Sequence, residues 1–189
     1  MSSRLRNLAE DPPDGWEAGH LRGVCQMRTQ HVSPSEVDET IYVGLEHMTP
    51  GRRCVDALGS SKEVESAKFR FHMGDVLFGK LRPYLRKVSM ADRDGVCSTD
   101  IIALSPRSAN DADFLLYLCQ SERVLHFAIS TSGGTRMPRT SWSDLRDCPV
   151  LLPPPQERQK IAAILRSVDD VIERTEAVIV ALREVKRGM

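Results

Sequence analysis

The chain has 189 residues, 41% hydrophobic and 28% charged, and its 26 basic and 26 acidic side chains cancel to zero net charge. That length holds one good hydrophobic core and not two comfortable ones, and the composition is that of a globular rather than a disordered chain. No stretch is apolar for long enough to span a bilayer, and the opening MSSRLRNLAEDPPDGW lacks the apolar segment of a secretory signal, so a cytoplasmic protein is predicted.

Before residue 153 the pattern is mainly strand-like. Segments 41–45, 64–71, 75–78 and 101–104 are short, β-branched or aromatic-rich, and separated by Gly, Pro, Asp or Ser. One helix interrupts them, starting at Asp111 and Asp113 and presenting Phe114, Leu115, Leu118, Leu125 and Ile129 on its apolar face. The run Ser-Trp-Ser-Asp from Ser141 to Asp144 is a capping-box pattern that opens a short helix. Three consecutive prolines, Pro153, Pro154 and Pro155, end this head, since none can continue a strand, and they suit the first turn of a new helix.

From Gln156 to Arg187 there is neither Gly nor Pro. Apolar residues recur at alternating steps of four and three: Ile161, Leu165, Val168, Ile172, then Thr175, Ile179 and Leu182, an a/d heptad seam. A second row, Ile164, Val171, Val178 and Val185, repeats every seven beside it, so the helix is expected to touch more than one neighbour. Such a helix spans ~48 Å, too long for a head of this size to bury at both ends. The predicted class is therefore α+β: a mostly β head, residues 1–153, with one or two helices, then a long coiled-coil spacer helix, residues 154–189.

Catalytic motifs are missing. Five cysteines at 25, 54, 97, 119 and 148 form no close pair, and the five histidines show no metal-ligand spacing, which predicts buried thiols and no metal site. No Gly-x-Ser-x-Gly elbow, Walker loop or dinucleotide fingerprint is present. Asp11-Pro12-Pro13-Asp14 differs from the amino-methyltransferase motif in lacking the aromatic that stacks on a flipped base. Glu184-Val185-Lys186 is an ordinary helical charge pattern rather than part of a nuclease motif.

The positive signals concern nucleic acid. No acid falls between Glu122 and Asp144, while Arg123, Arg136 and Arg139 do, and Lys80, Arg82, Arg86 and Lys87 form a second acid-free basic cluster. Gly79-Lys80-Leu81-Arg82-Pro83-Tyr84 combines a turn, two cations and an aromatic that can donate to phosphate or stack. Residues 132–139, SGGTRMPR, form a donor-rich loop leading to a helix N-terminus.

At these residues a resemblance emerges. GDVLFGKLRPYLRKV (74–88), GVCSTDIIAL (95–104), TSGGTRMPRTSWSDL (131–145) and the stretch from LLPPPQERQKIAAIL (151–165) to residue 179 closely resemble the specificity subunits of type I restriction-modification systems. IYVGLEHM (41–48) and GWEAGHLRGVC (15–25) fit the same pattern. The resemblance implies a non-enzymatic DNA-binding subunit whose target-recognition domains each read a few base pairs and are held apart by spacer helices. It also implies methyltransferase subunits as partners, with S-adenosylmethionine bound there and no cofactor on this chain, and a motor-nuclease subunit in a full complex.

Familiar members of that family carry two recognition domains and two spacer helices, so this chain looks like half a subunit, ending at Met189 just after a Lys-Arg-Gly stretch. An antiparallel homodimer through the 161–182 seam would restore the two-headed arrangement. The alternative is a regulatory half subunit that sequesters methyltransferase subunits or heterodimerises with a full specificity subunit. Motifs shared among relatives of different specificity cannot encode the bases read, so Lys80, Arg82, Tyr84, Arg136 and Arg139 are expected to contact phosphate. Base readout is expected in the less motif-like stretch 47–68, where Arg52 and Arg53 are the natural donors to guanine.

Overall fold

The computed structural model describes residues 12–33 and 40–188; Asp11 and Met189 lie outside them. Strand β1 (Glu17–His20) begins the head and pairs antiparallel with its last strand, β11 (Pro149–Leu152), in register Glu17↔Leu152. The two ends of the head are thereby stitched together immediately before the prolines, so the long C-terminal helix starts from a fixed point.

Between them run β2 (Cys25–Met27), β3 (His31–Val32), β4 (Ile41–Val43), β5 (Gly59–Ser60), β6 (Lys68–Phe71), β7 (Val76–Gly79), β8 (Val88–Met90), β9 (Gly95–Cys97) and β10 (Ile101–Pro106). They form a four-stranded sheet, β2-β10-β7-β8, and a five-stranded sheet, β3-β6-β9-β4-β5, in which only β4 and β9 pair parallel. The chain changes sheet just after β2. The Arg28 N–H still donates to Ala103 O at 2.8 Å, but the Gln30 carbonyl already accepts from Arg70 N at 2.9 Å.

Strands β7 and β10 are buried on both faces, which is why their sequences read as continuous apolar runs rather than alternating ones. Ile102, Leu104, Val76 and Phe78 face a core shared with the helices. Ile101, Ala103 and Leu77 face a second core shared with Val43, Phe71 and Cys97 of the other sheet. The architecture is thus helices, sheet, sheet, an α+β fold followed by a long helix.

The predicted 111–129 helix is two helices, α1 (Ala112–Gln120) and α2 (Glu122–Ser130). The break is Ser121, whose backbone is extended at ψ 148°; its hydroxyl donates to Leu118 O at 2.6 Å and accepts from Val124 N at 3.4 Å. One serine therefore closes α1 and caps α2, and apolar periodicity alone cannot see it because the buried face continues across the break. Helix α3 (Trp142–Leu145) starts as predicted, with Ser141 Oγ accepting from Asp144 N at 3.2 Å. Helix α4 runs from Pro155 to Gly188.

All five cysteines are free. Cys25, Cys97, Cys119 and Cys148 are buried, and Cys54 is half-buried. Burial pushes the Cys25 and Cys97 thiols up to about 12 and Cys148 to about 11. Native protein at pH 8 is therefore expected to react with a thiol reagent slowly and at Cys54 first, the other four reacting only on unfolding; rapid labelling of two or more in native buffer contradicts this packing. Ser121→Ala is expected to lower unfolding free energy by about 1 kcal/mol at an unchanged denaturant slope, as loss of a helix cap does; an unshifted urea midpoint would show that the cap contributes nothing.

Candidate nucleic-acid interface

The two basic loops expected to face phosphate are brought into contact. Strand β7 ends at Gly79, where a Cβ would meet Leu45 Cδ2 at 2.9 Å and Lys87 O at 3.1 Å, so only glycine admits the return strand this close. Lys80 is then held by its backbone: its N–H donates to Asp100 O at 2.9 Å, and its carbonyl accepts from Thr140 N at 3.1 Å. The Arg82 N–H donates to Pro138 O at 2.7 Å. The 79–84 turn and the 131–140 loop are therefore one surface.

Arg82 and Arg86 both adopt left-handed backbone, φ 51° and 55°, on either side of a single 3-10 turn at Pro83–Leu85. That conformation costs a non-glycine residue roughly 1–2 kcal/mol and persists only where surroundings impose it. Pro83 is buried and anchors the turn, while Arg82 is exposed and Tyr84 is 50% exposed. Arg86 is pinned by Glu122 of α2 through both guanidinium nitrogens. The second loop is a tight hairpin: Gly133 and Arg139 exchange backbone hydrogen bonds of 3.0 and 2.9 Å, with Gly134 at φ 93°. Arg136 lies exposed within it, and Arg139 reaches back to Asp100 through Nε at 3.0 Å.

Among the described residues, the side chains of Lys80, Arg82 and Arg136 make no ion pair or hydrogen bond. Two unpaired guanidiniums and an ammonium on adjoining, backbone-braced loops form a surface suited to an anion. Lys80 and Arg139 also edge a groove of about 600 Å³ lined by Arg28, Phe69, Trp142 and Arg146. Thr140, only 2% exposed, lines the same groove and leaves its hydroxyl without a partner. Sequence reasoning missed Arg28, Trp142 and Arg146. The tryptophan stands in a recognised capping pattern, but nothing local shows that the chain changes sheet just after β2, at Arg28 in the groove wall.

Arg52 and Arg53 are not part of this surface. Arg53 donates to Asp113 of α1 at 2.6 Å, and Arg52 reaches Glu176 of α4 at 2.6 Å. Arg52 thereby ties the head to the long helix, whereas Arg53 is spent within the head, on the α1 carboxylate that also faces Arg166 of α4 at 3.8 Å. Other ties are spread along α4. Trp16 Nε1 donates to Glu157 at 3.1 Å, Arg158 pairs with Asp111 at 2.9 Å, and Tyr117 donates to Asp169 at 2.7 Å. Burial and the Asp169 carboxylate hold the Tyr117 phenol above its usual range. Among the described residues of α4, only Ala162 is buried.

Most seam residues of α4 are exposed within the chain, although Ile172 lines the cleft beside Arg52, Arg53 and Glu176. Leu165, Val168, Ile172, Ile179 and Leu182 are exposed, at 38–63%, as are Ile164, Val171, Val178 and Val185 of the second row. Ile161 is half-buried, and Thr175 donates its hydroxyl to Val171 O at 2.7 Å, so it brings no unsatisfied group to the seam. Among the described residues, no group of three or more His, Cys, Asp or Glu side chains is placed to hold a metal ion, and no helix is long and apolar enough to cross a membrane.

Residues 13–183 match the family model of the type I restriction modification DNA specificity domain. The chain is 28% identical over 151 residues to the type I restriction enzyme EcoDI specificity subunit of Escherichia coli, covering 79% of this chain and 34% of that one. It is 21% identical to the putative type I restriction enzyme MjaX specificity subunit of Methanocaldococcus jannaschii, covering 94% and 45%. The HsdS subunit from Thermoanaerobacter tengcongensis superimposes at a TM-score of 0.71 with 21% identity, over 88% of this chain and 45% of that chain. The type I restriction-modification S subunit of M. genitalium superimposes at 0.57 with 14% identity, over 92% and 44%. The chain spans less than half the length of these relatives. With nearly its whole length matched by the family model, it belongs to the type I restriction-modification DNA specificity family.

Proposed function

We propose that this chain is a DNA sequence-specificity module that reads one half of a bipartite target and recruits methyltransferase subunits, without catalysis of its own. The observation that carries this reading is the joined surface of the 79–84 turn and the 131–140 loop, where Lys80, Arg82 and Arg136 stand unpaired. In this reading Lys80, Arg82, Tyr84, Arg136 and Arg139 hold the phosphate backbone, and the partnerless Thr140 hydroxyl supplies a further donor. Arg52 and Arg53, engaged by Glu176 and Asp113, are structural ties rather than guanine donors. S-adenosylmethionine belongs to the partner methyltransferase. A motor-nuclease subunit completes a restriction complex where one is present, and the setting is cytoplasmic.

The division into a 1–153 head and a 154–189 spacer rests on the start of α4 at Pro155 and the β1–β11 closure just before it. The spacer pairs with a second copy. Ten of the fifteen exposed large hydrophobic side chains of the described residues lie on α4, a concentration that marks an interaction surface rather than scatter. Antiparallel pairing through Ile161, Leu165, Val168, Ile172, Thr175, Ile179 and Leu182 places one head at each end, and the Ile164–Val185 row stays open to methyltransferase subunits. Two identical heads in opposite orientation require an interrupted palindrome as target.

Three experiments test this. Arg82→Ala or Arg136→Ala is expected to weaken binding to all DNA sequences alike and to reduce the salt slope by about one unit per phosphate lost. A changed sequence preference in either variant contradicts the phosphate role. Val168→Glu with Ile172→Glu is expected to halve the mass in size-exclusion light scattering and to abolish specific binding. An asymmetric methylated sequence in cells holding this chain as sole specificity component overturns the homodimer, and favours heterodimerisation with a full specificity subunit if such a subunit co-purifies.

A further inference from the structure

Helix α4 is held to its own head by directional polar contacts, with almost no apolar packing. Among its described residues the single buried side chain is Ala162. Two clefts, of about 390 and 110 Å³, open along the contact; the first is lined by Asp113, Arg166 and Asp170, the second by Arg53, Asp169 and Glu176. At the second cleft are Tyr117 to Asp169 at 2.7 Å and Arg52 to Glu176 at 2.6 Å. Asp113 takes Arg53 from the head on one oxygen at 2.6 Å and faces Arg166 of α4 with the other at 3.8 Å. A contact without close packing has no shape of its own to resist tilting, so these hydrogen bonds set the angle between head and helix.

We propose that Asp113, Tyr117 and Glu176 are positioning residues that fix the separation of the two half-sites the dimer accepts. This rests on the proposed specificity function and adds the device that makes the gap single-valued. Neighbouring gap lengths differ by about 3.4 Å along the duplex and roughly 35° around it. A head must therefore be held to well within those limits if it is to refuse a gap one base pair too short or too long. The apolar seam between two helices cannot impose this, because it fixes the helices to each other and leaves each head's angle free. Along α4 the ties reach from Glu157 to Glu176, ~28 Å of helix. That is a long enough lever for directional bonds at its far end to control tilt.

The test uses the full chain expressed with its methyltransferase, comparing wild type with Tyr117→Phe, Glu176→Gln and Asp113→Asn. Methylated sequences are mapped across the genome, and amide exchange of the purified chain is measured over 112–120 and 157–176. The expected result is unchanged half-sites, with methylation at gaps one base pair off rising at least about fivefold relative to the wild-type gap, and faster exchange in both segments. Variants that exchange faster yet keep the single gap overturn the positioning role alone, as does equal loss at every gap in all three. A wild-type chain that methylates no interrupted sequence overturns the specificity reading, and this role with it.

Discussion

A helix has one circumference to divide among its neighbours, and α4 divides it by chemistry. The stripe through Ala162, Asp169 and Glu176 meets its own head almost entirely through hydrogen bonds and ion pairs, with Glu157 and Arg158 adding further ties in the first turn. The stripes through Leu165–Leu182 and Ile164–Val185 are apolar and exposed within the chain. Had the apolar stripe turned inward, the helix would have been the last element of a closed domain. Because the polar one does, most of the helix's large apolar side chains stay exposed within the chain.

The head is built to present α4 at that angle. Pairing of β1 with β11 brings the first and last strands of the head to one place, and the three prolines convert that edge into a helix start within three residues. Helix α1, against which α4 lies, is seated on the sheet by Leu115, Leu116 and Cys119, all fully buried. Its other side carries Asp113 and Tyr117 to the long helix. The same sheet, through β7 and β10, positions the turn at Lys80 and, through Asp100, the hairpin at Arg139. The basic loops and the helix-docking face are thus attached to one rigid layer, so a displacement of one relative to the other requires that layer to deform.

Much of this is legible in the sequence where the signal is periodic or local. The proline stop, the unbroken helix after it, the apolar strands at 76–79 and 101–106 and the cap at Ser141 all stand in the structure. What stays hidden is long-range. Ser121 splits one apolar face between two helices, and a hydroxyl's choice of backbone partner leaves no trace in periodicity. Strands of two or three residues, such as β3 and β5, are too short to show alternation. Arg52 and Arg53 read as donors because they are basic and lie outside the shared motifs. Their acceptors, Glu176 and Asp113, are 124 and 60 residues away and read as a helix surface charge and a helix start. A usable signal does exist: Asp169 and Glu176 recur at a heptad interval on one stripe of α4, but a stripe of charges is usually a solvated face.

The two kinds of contact on α4 suit two different tasks. Apolar burial is strong and non-directional, so it can join chains while tolerating small shifts in register and tilt. Charged hydrogen bonds at partly exposed positions contribute little free energy each, because solvent screening and side-chain ordering offset most of the attraction. Their energy falls steeply with distance and angle, however, so they restrict geometry far more than they add stability. An element that must both assemble and aim gains from separating the two, with the seam supplying association and the head-facing stripe supplying direction. The basic loops obey the same logic on a smaller scale. Arg82 is held in strained left-handed backbone by Pro83, Pro138 and the Arg86–Glu122 pair, so the main chain that carries its guanidinium is already ordered when an anion arrives and only the side chain remains to be fixed.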